Sequence, residues 1–309
     1  MLRGVMGSLR RLVEEGRRLL RRIPWQPVAD SPTTRFYTPW SPFERYSSEP
    51  GAGRALLKPL ELSNASLLRP GGAPEELSGA VGRLLGPGSS RLAALHYASL
   101  REAAVLVINS GGYARFAAEL GPGGSWASAH LAVIVKGSGA RLLIEEVVRG
   151  PGSLGLELLL EPGTSLEILQ VVRVESGAPA AHISRALLSR GSELRSGSLA
   201  VSLSGVLRFE EGAVVEEGSS SLHSGGFAAL GSSVLDYVRN LVHTGPVSTS
   251  RVDVVGVARD KARVVVRGRI KAGRSARGSR TRLVTSELML GDGAWGYTAL
   301  LPRGRYGCC

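Results

Sequence analysis

The spacing of apolar positions along this chain changes character twice. Between residues 2 and 23, LRGVMGSLRRLVEEGRRLLRRI places Leu9, Leu12, Val13, Gly16, Leu19, Leu20 and Ile23 on one stripe at helical spacing, with arginines around the rest. This predicts an amphipathic helix ending at Pro24. A helix lying on a membrane surface would look similar, but Glu14 and Glu15 argue against a transit peptide, and docking on the protein itself or on a partner is the preferred reading. Residues 24 to 53 are rich in Pro, Ser and aromatics and hold no period, which predicts an ordered, irregular arm. Pro74 to Leu85 reads as a short helix. RLAALHYASLREAAVLVIN, residues 91 to 109, reads as a helix passing into a buried strand at Ala104 to Ile108.

Beyond Trp126 the period becomes two. In SLEILQVVR the residues Leu166, Ile168, Gln170 and Val172 share a face, and in RVVVRGRI so do Val264, Val266, Gly268 and Ile270. Breakers recur at Gly139, Gly163, Gly191, Gly212, Gly231, Asp260, Gly273 and Gly291. Each unit between them is too small to bury its own apolar face, so stacking of successive turns into a coil is the economical solution. An antiparallel sandwich would also alternate, but the Asn-Gly and Asp-Gly hairpin turns it favours are sparse here. The expected fold is mainly β: a right-handed parallel β-helix with an N-terminal helix and a small α/β lead-in segment. The expected domains are an N-terminal helix and arm at 1–50, the α/β segment at 51–125, the β-helix at 126–301 and a tail at 302–309.

Composition agrees: 41 glycines and only 16 aromatic residues suit thin strands and tight turns better than a bulky core. The net charge is +12, and Lys occurs only at Lys58, Lys136, Lys261 and Lys271, so 34 of 38 basic residues are Arg. Clustered guanidiniums pair well with phosphate, which admits a polyanion-binding surface. These arginines are spread along the chain without interleaved aromatics, which disfavours nucleic acid. The only cysteines are Cys308 and Cys309, so there is no disulfide framework and no CxxC knuckle, as suits a reducing, cytoplasmic setting. No apolar run approaches the roughly 20 residues a bilayer span requires, and no membrane association is expected.

Four stretches, in order, resemble the SufB/SufD family of iron–sulfur cluster assembly proteins. In LDYVRNLVHTGPVSTSRVDVVGVARDKARVVVRGRIKAGRSARGSRTRLVTSELMLGDGAW, residues 235 to 295, His243, the ARDKARVVVRGRI run and the LMLGDGA run occupy the family's positions. Upstream, GSGARLLIEE and ELLLEPGTSLEILQVVR resemble its paired strand-turn-strand repeats, Gln170 included. RLAALHYASLREAAVLVIN resembles its helix-into-strand stretch, and TTRFYTP at 33 to 39 is a fainter echo of a SufD-like element. The resemblance implies a parallel β-helix scaffold, not a turnover enzyme. It would pair with a SufB-like subunit or with itself through the β-helix edge, and dock on the SufC-like ABC ATPase. Two departures favour a structural, SufD-like subunit over one that holds a cluster. The family continues into a C-terminal helical region, whereas this sequence stops at Cys309, and no cysteine precedes Cys308.

Candidate ligands for a transient iron–sulfur cluster, or for iron, are therefore His243, Cys308 and Cys309. The neutral imidazole of His243 suits iron; the competing reading is a histidine hydrogen-bonded at a strand end. His96, His130, His182 and His223 lack partners at metal-ligand spacing and are read as structural. The adjacent pairs Glu145/Glu146, Glu210/Glu211 and Glu216/Glu217 are poor candidates for acid–base catalysis without a cleft. No GxxxxGK[ST] occurs, so the chain is not itself the ATPase. β-helices also host polysaccharide lyases, but their sites need clustered Asp, and the few aspartates here are widely separated. The alternative to the assembly scaffold is an arginine-rich solenoid that binds polyanions or another protein without cluster chemistry.

Overall fold

A computed structural model describes residues 2–25, 39–48, 50–51, 53–69, 79–121 and 123–303. The alternation read after Trp126 builds a parallel β-solenoid of about seven turns. Its seam is β2, Leu100–Leu120, one long strand that serves both sheets. Residues 100 to 108 of β2 pair in parallel with β3, Ala127–Val135; residues 113 to 120 pair in parallel with β4, Ala140–Val148. One sheet then grows through the odd strands: β5 Gly152–Leu160, β7 Pro179–Leu188, β9 Val206–Val215, β11 Val234–His243, β13 Arg263–Ala272 and β15 Trp295–Arg303. The other grows through the even strands: β6 Ser165–Val174, β8 Glu193–Ser202, β10 Ser220–Ala229, β12 Thr249–Arg259 and β14 Arg280–Leu290.

The starting end of this coil carries one added antiparallel strand. β1, Ala55–Leu68, runs antiparallel along both halves of β2 and occupies the hydrogen-bonding edge that would otherwise be open. The coil thus begins before the expected boundary at residue 126, because β2 already contributes a rung to each sheet. Between the sheets lies an apolar lumen, filled by Phe116, Ile144 and Ile168 from one side and Leu131, Leu156 and Phe209 from the other.

The turns sort the breakers into two interleaved series of corners. At one corner, Gly111, Gly139, Gly163, Gly191, Gly218, Val247 and Gly278 all have positive φ, at spacings of 24 to 31 residues. Gly163, Gly191, Gly218 and Val247 each donate their N–H to a carbonyl one turn further along, those of Arg190, Glu217, Pro246 and Arg277. Gly231, Asp260 and Gly291 mark another corner. Gly212 belongs to neither: it lies inside β9, where Arg185 crosses it, and a Cβ there would sit 3.1 Å from the Arg185 side chain.

The outer face of the odd sheet is covered by the N-terminal third of the chain. α1, Leu2–Leu20, packs on α3, Arg91–Ala98, which packs on β3 and β5. The close approach is at Gly16, where a Cβ would lie 2.7 Å from the Ala98 nitrogen, so the glycine on the apolar stripe is a packing residue. Ser90 caps α3 by accepting from the Ala93 N–H at 3.0 Å. The short α2, Ser41–Glu44, brings Phe43 into an aromatic cluster with Trp25, Trp40 and the fully buried Trp126. The helix expected at 74–85 is not found in its described part, where residues 79 to 85 form turns. Their backbone N–H groups are used in another way, described below. Residues 33 to 38 of the TTRFYTP stretch lie outside the described residues.

Candidate functional site

The lumen is not apolar throughout. Strand alternation sends Glu146, Gln170, Ser196, Ser198 and His223 inward from the even sheet, and His182, Glu211, Tyr237 and Arg239 inward from the odd sheet. All are buried, and they touch across successive rungs. Glu146 Oε2 lies 2.7 Å from His182 Nδ1, and His182 Nε2 lies 2.9 Å from Gln170 Oε1. The Gln170 amide donates to Glu211 Oε1 at 3.0 Å, and Tyr237 donates to Glu211 Oε2 at 3.2 Å. His223 then continues the line, with Nε2 2.9 Å from the Tyr237 hydroxyl and Nδ1 2.8 Å from Ser196 Oγ. Gly225 makes this possible, since a Cβ there would stand 2.4 Å from the Tyr237 oxygen.

Hydrogen-bond direction follows from the chemistry. Because Tyr237 donates to Glu211, its oxygen accepts from His223 Nε2–H, which leaves Nδ1 to accept from Ser196. Burial is the largest influence on His223 and pushes its pKa down to about 4; Glu211 opposes the shift and Arg239 adds to it. The imidazole is therefore neutral near pH 7. Burial acts to raise the Glu211 pKa, but His223, Arg239, His182 and the Tyr237 hydrogen bond outweigh it and hold the carboxyl below its ordinary range. Tyr237 is pushed well above the ordinary phenol value, first by burial and then by Glu211. The Arg239 Nη1 lies 3.4 Å from Glu211, while its Nε and Nη2, and Glu146 Oε1, have no hydrogen-bond partner. The chain holds charge and protons in fixed places.

A second buried relay lies on the other side of the odd sheet, under α3. Ser153 Oγ is 2.9 Å from His96 Nδ1, His96 Nε2 is 3.1 Å from His130 Nδ1, and His130 Nε2 is 3.6 Å from Glu157. The Glu157 carboxylate accepts from the backbone N–H groups of Gly82, Leu84 and Leu85 at 3.0, 2.9 and 2.5 Å. These are the residues expected to be helical: a carboxylate, not an i−4 carbonyl, satisfies their donors. Burial would raise the Glu157 pKa, and His130 with the Leu85 and Leu84 bonds brings it below the usual value. This relay is an anchor for the covering layer.

Among the sequence candidates, His243 ends β11 in full burial. Its Nδ1 is 2.7 Å from Ser248 Oγ and its Nε2 is 2.9 Å from Ser250 Oγ, and burial lowers its pKa. The imidazole is thus neutral, the form iron binds, but both nitrogens already have hydrogen-bond partners. Among the described residues no group of three or more His, Cys, Asp or Glu is placed to hold a metal. Cys308 and Cys309 lie outside the described residues. The four other histidines have partners after all, contributed by rungs 12 to 57 residues away in sequence. The adjacent carboxylates are split by the period of two. Glu146 and Glu211 enter the lumen, whereas Glu145 meets Arg115 outside at 2.7 Å and Glu210 meets Arg208 outside at 2.7 Å.

The model of the SUF system FeS cluster assembly SufBD core domain matches residues 119–299, more than half of the chain. This chain belongs to the SufBD family. The matched core runs from the end of β2 into β15, so the whole Glu146-to-Ser196 chain and His243 lie within it, while α1 and α3 precede it. The expected parallel β-solenoid is the fold found. Comparison with curated proteins gives no match. Among the described residues no helix is long and apolar enough to cross a membrane.

Proposed function

We propose that this SufBD-family chain is a structural, SufD-like subunit of an iron–sulfur assembly scaffold, paired with a SufB-like subunit and served by a SufC-like ATPase in the cytoplasm. The observation that carries this reading is the state of the described core. Its lumen is packed with side chains that hydrogen-bond one another, it offers no thiolate, and the imidazole at the family's histidine position, His243, already has both nitrogens in use. Thiolates are the usual donors to clusters. A subunit built in this way supports a partner that carries the cluster, and has no turnover chemistry of its own.

The edges of β14 and β15 that face away from the preceding rungs have no strand partner among the described residues. They offer N–H and C=O groups that a second solenoid would continue. Where this chain does touch iron or a transient cluster, Cys308 and Cys309 supply the thiolates and His243 contributes only by giving up Ser248 or Ser250. The test is co-expression with the SufB-like and SufC-like proteins of the same genome, followed by native mass spectrometry. A stable ternary complex is the expected result, with cluster absorption after anaerobic reconstitution depending on the SufB-like subunit and unchanged in a C308A/C309A variant. Cluster formation on this chain alone would overturn the structural assignment, and recovery of neither partner would overturn the scaffold reading.

A further inference from the structure

The two sheets of the solenoid have outer faces of opposite fate, and the bare one has the features of a docking surface. Along β6, β8 and β10, and over most of β12, every second residue is buried in the lumen, and its neighbour faces outward with no cover among the described residues. The register stacks the outward residues into rows across the strands. One row contains Val171, Leu199, Gly226 and Val255, and the next contains Val201, Ala228, Val257 and Leu288. Leu169, Leu199, Val255 and Leu288 are 47, 41, 60 and 58% exposed. The leucines lie flat across the glycines of the following rung: Leu169 Cδ1 would be 3.1 Å from a Cβ at Gly197, and Leu199 Cδ1 3.4 Å from one at Gly226. The result is a smooth apolar band.

Beside the band runs a basic margin. Arg141, Arg195, Arg251 and Arg282 occupy one register row, on β4, β8, β12 and β14, interrupted by Glu167 and Leu222. Residues 251 to 300 contain eleven basic and four acidic residues, of which Arg251 and Arg282 lie in this row while Arg263, Arg267, Arg269 and Lys271 belong to β13 of the other sheet. Arg195 and Arg251 are exposed and have half-buried partners in Glu193 and Asp253, and surface pairs of that kind are readily exchanged for others.

We propose that this face receives one amphipathic α-helix from a protein partner, laid across the strands, with its apolar stripe on the band and acidic residues along the arginine row. Three observations select that occupant. The chain itself shows what covers a face of this coil, since the opposite sheet is covered by helical segments. From β4 to β14 is five strand spacings, about 24 Å at ~4.8 Å each, the length of a helix of about 16 residues. Arginines on alternate rungs recur at about 9.6 Å, close to the ~10.5 Å rise of seven helical residues. A second copy of the same face would set arginine rows against one another, and nucleic acid would find leucine and valine where stacking aromatics are needed.

The test does not depend on the scaffold assignment, and failure to form the ternary complex would leave it standing. The probes are two labelled 18-residue peptides with the same leucine stripe, one with Glu and one with Lys on the flanks at seven-residue spacing, titrated by fluorescence anisotropy against the full chain. The Glu peptide is expected to bind at least tenfold more tightly than the Lys peptide. L199D/V255D should abolish that binding, and R195E/R251E should reverse the preference. All four positions are solvent-facing, so unchanged thermal melting confirms that the variants fold. Equal binding of the two peptides, no binding of the Glu peptide, indifference to the substitutions, or a wild-type dimer that excludes the Glu peptide would each overturn the proposal.

Discussion

The odd and even sheets are made of the same kind of rung, share a lumen and grow from one strand, yet they meet the outside differently. β3 and β5 are buried at every position, whereas β6 and β8 alternate strictly between buried and accessible. The difference lies in what each outer face carries. The odd sheet presents Ser128, His130, Ser153 and Glu157 together with Ala132, Ile134 and Leu159, and the polar members bind the layer while the apolar ones bury it. Further along, Arg185, Glu210, Arg208, Asp236 and Arg267 form an alternating ladder of ion pairs at the margin of that layer, with Arg208 also under the Trp40 ring at 5.3 Å. The even sheet carries leucine, valine and arginine, and its outward acids Glu145, Glu193 and Asp253 pair with arginines of the same sheet and bind no covering layer among the described residues. A solenoid therefore decides its cover by polar residues on the outward positions, because apolar area alone fixes neither orientation nor register.

Four measurements would break or sharpen this contrast. Trp126 seals the covered face, touching Phe43 and Tyr46 and donating its indole N–H to Ser128 and Ser153. W126A should lower unfolding stability by between about 3 and 5 kcal/mol in urea titration; a loss under about 1 kcal/mol would mean that the layer is only loosely attached. The second measurement concerns acid. All five histidines are fully buried, in the lumen or under the layer, and none lies on the bare face. His223 has a folded pKa of about 4 against an unfolded value of 6.5. Between those values the unfolded chain takes up a proton that the native chain refuses, so stability falls as pH falls. From this site alone the loss is about 3 kcal/mol between pH 6.5 and 4. His96 and His243 are shifted the same way and add to it. Melting followed across that range should show the decline, and H223Q should flatten it.

Smaller effects are expected where the chain meets solvent. Val247 holds a left-handed φ of 54° in a corner series otherwise made of glycine and is 67% exposed. V247G should raise stability by about 0.5 to 1 kcal/mol, the relief of side-chain strain exceeding the entropy cost of glycine; destabilisation would show that Val247 makes a contact the corner needs. L199A on the bare face should change stability by no more than about 0.5 kcal/mol. A larger loss would mean that the face is already occupied.

Much of this molecule could be read along its chain, and the unreadable parts share one cause. Alternation in SLEILQVVR and RVVVRGRI gave the lumen positions correctly, Gln170 included, because strand period is local. The apolar stripe of α1 and the helix-to-strand passage near residue 99 were legible for the same reason. The lumen chain was not. Glu146 and His182 are 36 residues apart, and Gln170 and Glu211 are 41. Their meeting depends on the length of every intervening turn, so ligand-spacing rules made for helices and short loops found nothing. The Glu157 cradle was hidden in another way, since its donors are backbone groups without a sequence signature. One signal was present and unused. ASAHLAVIV and GSLGLELLL lack the alternation of their even-sheet neighbours, which marks strands buried on both faces and so tells which sheet is covered.

The antiparallel strand β1 at the start of the coil gives it a direction in time. Each rung bonds to the rung made about 28 residues earlier, as Gly163, Gly191 and Gly218 mark along one corner. The chain emerging from a ribosome can therefore add strands to a base already formed by the β1 and β2 pair, while buried pairs such as Glu146–His182 and Gln170–Glu211 close only when the later rung arrives. The start of the coil presents the outer edge of one antiparallel strand and the growing tip presents parallel ones, so a stalled or truncated product would be a shorter solenoid of the same kind.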